Sequence, residues 1–184
     1  MSTADLPERT AEETVLAGEC PETGVEKART EAETRGKCPV CGKPRWLGLD
    51  FGARTVGVAA TDALGITVQP LETIWRKEEN HLRKTLRRIG ELIEELSVTE
   101  IVLGLPLNMD GSEGERAQKT REFGAALEKR FALPVRYADE RLTTAEAEEI
   151  LAAGGVRPED RKTYIDKVAA AIILEDYLKG SNIL

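Results

Sequence analysis

Residues 46–62 read WLGLDFGARTVGVAATD. One apolar run carries a single acid, Asp50, and breaks at Gly52. A second run, 56–60, follows after a short Gly/Arg/Thr connection. Two apolar runs flanking a tight polar turn predict a β-hairpin. The hairpin holds a carboxylate near the end of its first strand. An acid inside a Leu/Phe run is costly to bury without a partner. It asks for a metal ion or a phosphate-binding site, unless it merely caps the turn through its own side chain.

Outward from the hairpin, the rest of 45–184 is periodic and well punctuated. A third strand is expected at 66–74, then a helix at 79–96 with Leu82, Leu86, Ile89, Ile93 and Leu96 at helical spacing. EIVLGL predicts a buried strand at 100–105. Ser112 with Glu115 has the spacing of a capping box opening a helix to about 130, and Pro134 introduces a strand at 135–139. Thr143 with Glu146 repeats the capping spacing for a helix that stops at Gly154-Gly155. A polar loop over 156–162 precedes a last helix at 163–179. Three hairpin-like strands followed by alternating helices and strands predict an α/β domain with a central mixed sheet flanked by helices.

Residues 1–44 differ sharply. They are rich in Glu, Thr, Ala, Gly and Pro and hold nine acids against six bases. So few large apolar side chains cannot offset the entropy of ordering, and disorder is expected there. Within this extension, Cys38-Pro-Val-Cys41 resembles one knuckle of a zinc ribbon. A closed site needs four ligands, and the chain's three cysteines (Cys20 is the third) fall short. No zinc is expected at Cys38/Cys41. An odd cysteine count also speaks against a disulfide framework. The start of the chain lacks an apolar signal-peptide core, and no stretch approaches the roughly 20 apolar residues of a membrane span. A cytoplasmic protein with no membrane partner is the expectation. The net charge of -7 argues against a surface coated with nucleic-acid contacts, although local patches decide binding.

Three acids stand out by position. Asp50 ends a strand. Glu140 follows Asp139 where a strand gives way to a helix, and ligands collect at the carboxyl ends of strands in α/β sheets. Asp166 shares a helix side with Ala169, Ala170, Ile173 and Tyr177, so it projects from a face that packs inward. Taken singly, Glu140 reads equally well as a surface charge and Asp166 as an acid favoured by the helix dipole. Together they form a set of carboxylates that repel unless cations neutralise them. Two Mg²⁺ or Mn²⁺ ions about 4 Å apart would do so and would support in-line phosphodiester hydrolysis. The loop 104–114, GLPLNMDGSEG, ends at a helix N-terminus able to receive a phosphate, or is simply an Asn/Asp/Gly turn. A basic cluster at Arg76, Lys77, Arg83, Lys84, Arg87 and Arg88 offers a phosphate-backbone surface, diluted by neighbouring glutamates.

The stretches GLDFGARTVGVAATD, GLPLNMDGSEG, YADERLTT and DKVAAAIILEDYL, in this order, resemble the YqgF (RuvX) family of pre-16S rRNA nucleases and Holliday-junction resolvase-like proteins. The resemblance spans 46–178. It implies a ribonuclease H-like fold with a five-stranded sheet, and a metal-dependent nuclease whose catalytic metal ligands are Asp50, Glu140 and Asp166. It further implies that Asn108, Arg141 and Thr143 support the substrate or the acids; Arg83 and Arg87, one helical turn apart in the basic cluster, are expected to contact substrate on the strength of that cluster alone. The expected partner is nucleic acid, either pre-rRNA or branched DNA. A two-fold symmetric junction would call for a homodimer. A phosphotransferase of the sugar-kinase type uses a similar hairpin, but needs a second domain that this length does not supply. A non-catalytic nucleic-acid-binding factor for ribosome maturation is the third reading.

Overall fold

The structure, a computed structural model, describes residues 44–78, 81–140 and 143–181. Expectations for 1–43, including the three cysteines, and for Arg141 lie outside the described residues. Five strands and four helices follow in the order β1 (Trp46–Phe51), β2 (Thr55–Thr61), β3 (Val68–Trp75), α1 (Leu82–Leu96), β4 (Glu100–Leu105), α2 (Glu115–Phe131), β5 (Val135–Asp139), α3 (Thr143–Ala153) and α4 (Pro158–Gly180). The sheet order is β3-β2-β1-β4-β5. β1 pairs antiparallel with β2 and parallel with β4, so the predicted hairpin occupies the centre of the sheet. An antiparallel meander continued by two parallel crossover strands is the ribonuclease H-like arrangement. Among the described residues no helix is long and apolar enough to cross a membrane.

The sheet's two faces are built differently. Leu47, Leu49, Phe51, Val56, Val58, Ile101 and Leu103 form one face and pack on Ile89 and Leu92 of α1 and Phe123 and Leu127 of α2. Phe51 stacks on Phe123 with ring centroids 4.3 Å apart. On the other face Gly48, Asp50, Gly57 and Ala59 alternate with these residues, and α4 lies across them. A Cβ on Gly48 would sit 2.7 Å from Leu174 Cβ, and one on Gly57 would collide with the carbonyl oxygen of Asp166. The glycines therefore let the backbone of α4 approach β1 and β2 directly. Ala147 of α3 packs against Ala169 and Ile172 and holds α4 from behind.

Two expected helix starts differ from those observed. α2 begins at Glu115 with Gly114 as its N-cap and no side-chain cap. Ser112 is instead tied into the preceding loop, its hydroxyl donating to Asp110 Oδ1 at 2.6 Å. The loop's own Asx turn competes for the hydroxyl and wins. α4 begins at Pro158 rather than 163, so most of the expected polar loop is helical. Pro at the first helical position followed by Glu159 and Asp160 is a helix start in its own right, because Pro forfeits no bond there and the acids meet the dipole. Thr143 is the first residue of α3, and its hydroxyl donates backward to the Glu140 carbonyl at 3.1 Å.

Candidate active site

Asp50 lies one residue before the end of β1. The register pairs it with Gly57, the glycine beneath the Asp166 carbonyl. Asp50 and Asp166 are thus brought together by a strand and a helix that touch backbone to backbone. Glu140 follows the last residue of β5, and its backbone N–H reaches the Leu105 carbonyl at 3.4 Å. A Cβ on Gly104 would strike the Glu140 carboxylate and the Ile173 side chain. Gly104 therefore makes the recess into which Glu140 turns. All three acids are half-buried.

Their electrostatics show mutual confinement. Burial is the largest cause that raises Asp50 to about 7, with the charge of Asp166 adding to it. Burial likewise raises Glu140 to about 8, with Asp50 as the next contributor. Arg116, in the first turn of α2, opposes both shifts. It reaches over the sheet end and donates through Nη2 to the Phe51 carbonyl at 3.4 Å. Glu140 Oε2 is buried, and among the described residues no hydrogen-bond donor reaches it. Asp50 thus feels an acid on each side, Asp166 and Glu140. Among the described residues no three acids, histidines or cysteines form a ready-made ion cage. A row of like charges favours the looser spacing.

The sequence pattern that defines the RuvX family, described as Holliday junction resolvase, matches residues 44–180. The chain belongs to the RuvX family. A "Putative pre-16S rRNA nuclease" of Lachnospira eligens is 58% identical over 136 residues, covering 74% of this chain and 97% of that protein. Proteins of the same name from Agathobacter rectalis and Lactococcus lactis are 52% and 50% identical. They cover 73% of this chain each, and 94% and 93% of their own lengths. Among solved structures, RuvC of T. thermophilus in complex with a Holliday junction substrate is 13% identical with a TM-score of 0.46, covering 76% of this chain and 96% of that chain.

The other expected site residues of this RuvX chain fall into separate places. Thr143 is buried, and both its N–H and its hydroxyl donate to the Glu140 carbonyl, so it fixes the turn that carries the acid. Asn108 is exposed; its Nδ2 donates to Ser112 Oγ at 2.9 Å and closes the loop after β4 on itself. The basic cluster splits. Arg76 is buried, donating to the carbonyls of Gly52 and Thr55 and lying 4.5 Å over the Phe51 ring, so it clamps the hairpin tip. Arg88 is spanned by Glu72, Glu91 and Glu95. Arg87 stands 3.6 Å from Glu91 on the surface. Arg83, with Lys77 and Lys84, instead lines a groove beside Trp75.

Arg116 escaped the sequence reading. It sits two residues beyond the glycine loop, among Glu113, Glu115 and Gln118, where one more charge on a polar helix start carries no periodic signal. The available cue was its place in the first turn of a helix that follows a buried strand, the position from which side chains overhang a sheet's carboxyl end.

Proposed function

We propose that this chain is a divalent-metal-dependent nuclease that hydrolyses phosphodiester bonds in pre-16S rRNA, the substrate in the names of its relatives, and that it acts in the cytoplasm at the 5′ end of that RNA. The observation that carries the reading is the row Asp166, Asp50, Glu140 at one end of the sheet. Three half-buried carboxylates gathered at one sheet end, one with an orphaned buried oxygen, are a costly arrangement with no structural return.

Such hard oxygen donors fit Mg²⁺ or Mn²⁺. Asp50, Glu140 and Asp166 would hold the metal, with Asp50 as the central ligand of the three. The metal would supply charge neutralisation of the phosphate and a water acidic enough to attack it. The chain's own residues do the positioning. Gly57 sets the distance between Asp50 and Asp166. Thr143 and Gly104 orient Glu140. Arg116 and the α2 N-terminus, which has no side-chain cap, present positive charge to a phosphate at the same sheet end. Asn108 holds the loop that leads to that N-terminus. Arg83 extends the cationic surface along the substrate. No protein nucleophile is required.

The test is cleavage of precursor 16S rRNA and of a four-way DNA junction, side by side, with Mg²⁺, with Mn²⁺ and with chelator. Metal-dependent scission of the RNA by the parent and none by Asp50→Asn is the expected result. Scission of the junction alone would transfer the same chemistry to branched DNA. Full activity in Asp50→Asn would end the metal-site reading.

A further inference from the structure

Resting on the nuclease reading, we propose that Trp75, Lys77, Arg83 and Lys84 form a subsite that stacks an unpaired base of the substrate strand and holds its phosphates beside the acid centre. Trp75 ends β3 and is 64% exposed, an unusual setting for the largest apolar side chain. It forms one wall of a groove of about 460 Å³ completed by Arg76, Lys77, His81, Arg83 and Lys84. Arg76 is spent on the hairpin tip. Among the described residues, no carboxylate pairs with Lys77, Arg83 or Lys84. Their charges therefore remain available to a polyanion, unlike those of Arg87 and Arg88.

Position ties the groove to the acids. Trp75 is in register with Thr55, two residues from Gly57, which is in register with Asp50. Two strand spacings across and two residues along place the Trp75 backbone about 12 Å from that of Asp50. Arg76 joins the two regions, since its N–H bonds the Arg54 carbonyl at 2.8 Å and its guanidinium holds the Gly52 carbonyl. On the opposite side, the 600 Å³ groove beside β5 is lined by Glu146, Asp176, Tyr177 and Met109 among others, and no cation is among its described lining residues to receive a phosphate. A strand crossing the acids is thereby directed toward β3. An indole face accepts a base only when that base is unstacked, so the occupant is single-stranded nucleic acid rather than duplex.

The experiment measures binding without cleavage. Full-length Asp50→Asn protein in chelator is titrated with a single-stranded 12-mer and with the duplex of the same sequence, each as RNA and as DNA. Anisotropy gives the affinity and tryptophan fluorescence the stacking; Trp46, the other tryptophan, is buried. Single strands are expected to quench the fluorescence and bind tighter than the duplex. Trp75→Ala should weaken single-strand binding by about 5- to 150-fold, the range for one stacked base, and Trp75→Phe should retain most of it. Removing Lys77, Arg83 and Lys84 together should flatten the salt slope by about 2. Unchanged single-strand affinity in Trp75→Ala, with an unaltered melting curve, would overturn the proposal, as would duplex binding as tight as single-strand binding. Binding is read with no metal present, so a failure of the nuclease reading would leave this result standing.

Discussion

The two faces of the central sheet share the same strands yet follow opposite rules. The face toward α1 and α2 is filled with large side chains, and Leu47, Leu49, Val56, Val58 and Leu103 are all fully buried there. The face toward α4 keeps Trp46 and Val102, which pack on Ile173, Leu174 and Leu178, but is pared to Gly48, Gly57, Ala59 and Gly104 around the acid Asp50. Apolar bulk dominates the first face; its absence beside Asp50 on the second lets a helix deliver Asp166 against a strand. The difference teaches that small residues here serve placement rather than packing, and that the cost of crowding carboxylates is borne by the opposite face.

The sharpest break in the comparison comes from Asp50→Asn. On the α4 face it should cut RNA cleavage by at least about a thousandfold, roughly 4 kcal/mol of transition-state stabilisation, while the circular dichroism spectrum stays that of the parent. Next in size is Ile89→Ala on the other face. Ile89 is fully buried against the sheet, so this cavity should cost about 2–5 kcal/mol in denaturant unfolding. Cleavage per folded molecule should not change. A variant that lost turnover at full stability would show that the faces are not separable in this way.

Gly57→Ala sits between the two. A single methyl group meets the Asp166 carbonyl, and backbone cannot swing aside as a side chain tip can. Displacing α4 should cost about 1–3 kcal/mol, and shifting Asp166 by about 1 Å should lower cleavage by about a hundredfold. Unfolding curves and single-turnover cleavage measured on the same preparation separate the two effects. Loss of stability alone would mean that Asp166 is not needed where α4 places it.

The large-residue face was the more legible of the two. Alternation in WLGLDF and the i, i+3, i+4 spacing in α1 announce elements that bury bulk, and β1, β2, β4 and β5 fall within a residue of expectation. Asp50 was visible as an acid in an apolar run. Its meeting with Asp166 and Glu140 could not be read from spacing, since 116 positions separate the first two and only the helix-on-glycine contact joins them; placement on strand ends and an inward helix face singled the three out, and the family resemblance assigned them to one site. Ser112 misled because a side chain in a tight loop has nearer partners than the helix ahead. The basic cluster misled in another way. Helical spacing put Arg83 and Arg87 on one side and Glu91 within a turn of Arg87 and Arg88, but nothing local told that Glu72 of β3 would also claim Arg88 while Arg83 stayed open beside Trp75.

The gentlest probe of the α4 face is pH. Burial and like charge raise Asp50 to about 7 and Glu140 to about 8, against about 4 for carboxyls of the unfolded chain. Between those values the folded metal-free chain binds more protons than the unfolded one. The stability these groups contribute is therefore complete below pH 4 and is lost as pH rises to about 8. At about 1.4 kcal/mol for each pH unit of the window, Asp50 alone accounts for up to about 4 kcal/mol, and mutual coupling with Glu140 reduces that to a smaller observed slope. Thermal melts in chelator should fall steadily from pH 5.5 to pH 8.5. Asp50→Asn should flatten the fall and melt higher than the parent at pH 8.5, whereas Ile89→Ala should lower every point and keep the slope. Mg²⁺ or Mn²⁺ should raise the parent's melting temperature more at pH 8 than at pH 6, because the ligands must shed their protons to bind. A metal effect independent of pH, or a slope that survives Asp50→Asn, would move the titrating groups, and with them the metal site, away from the α4 face.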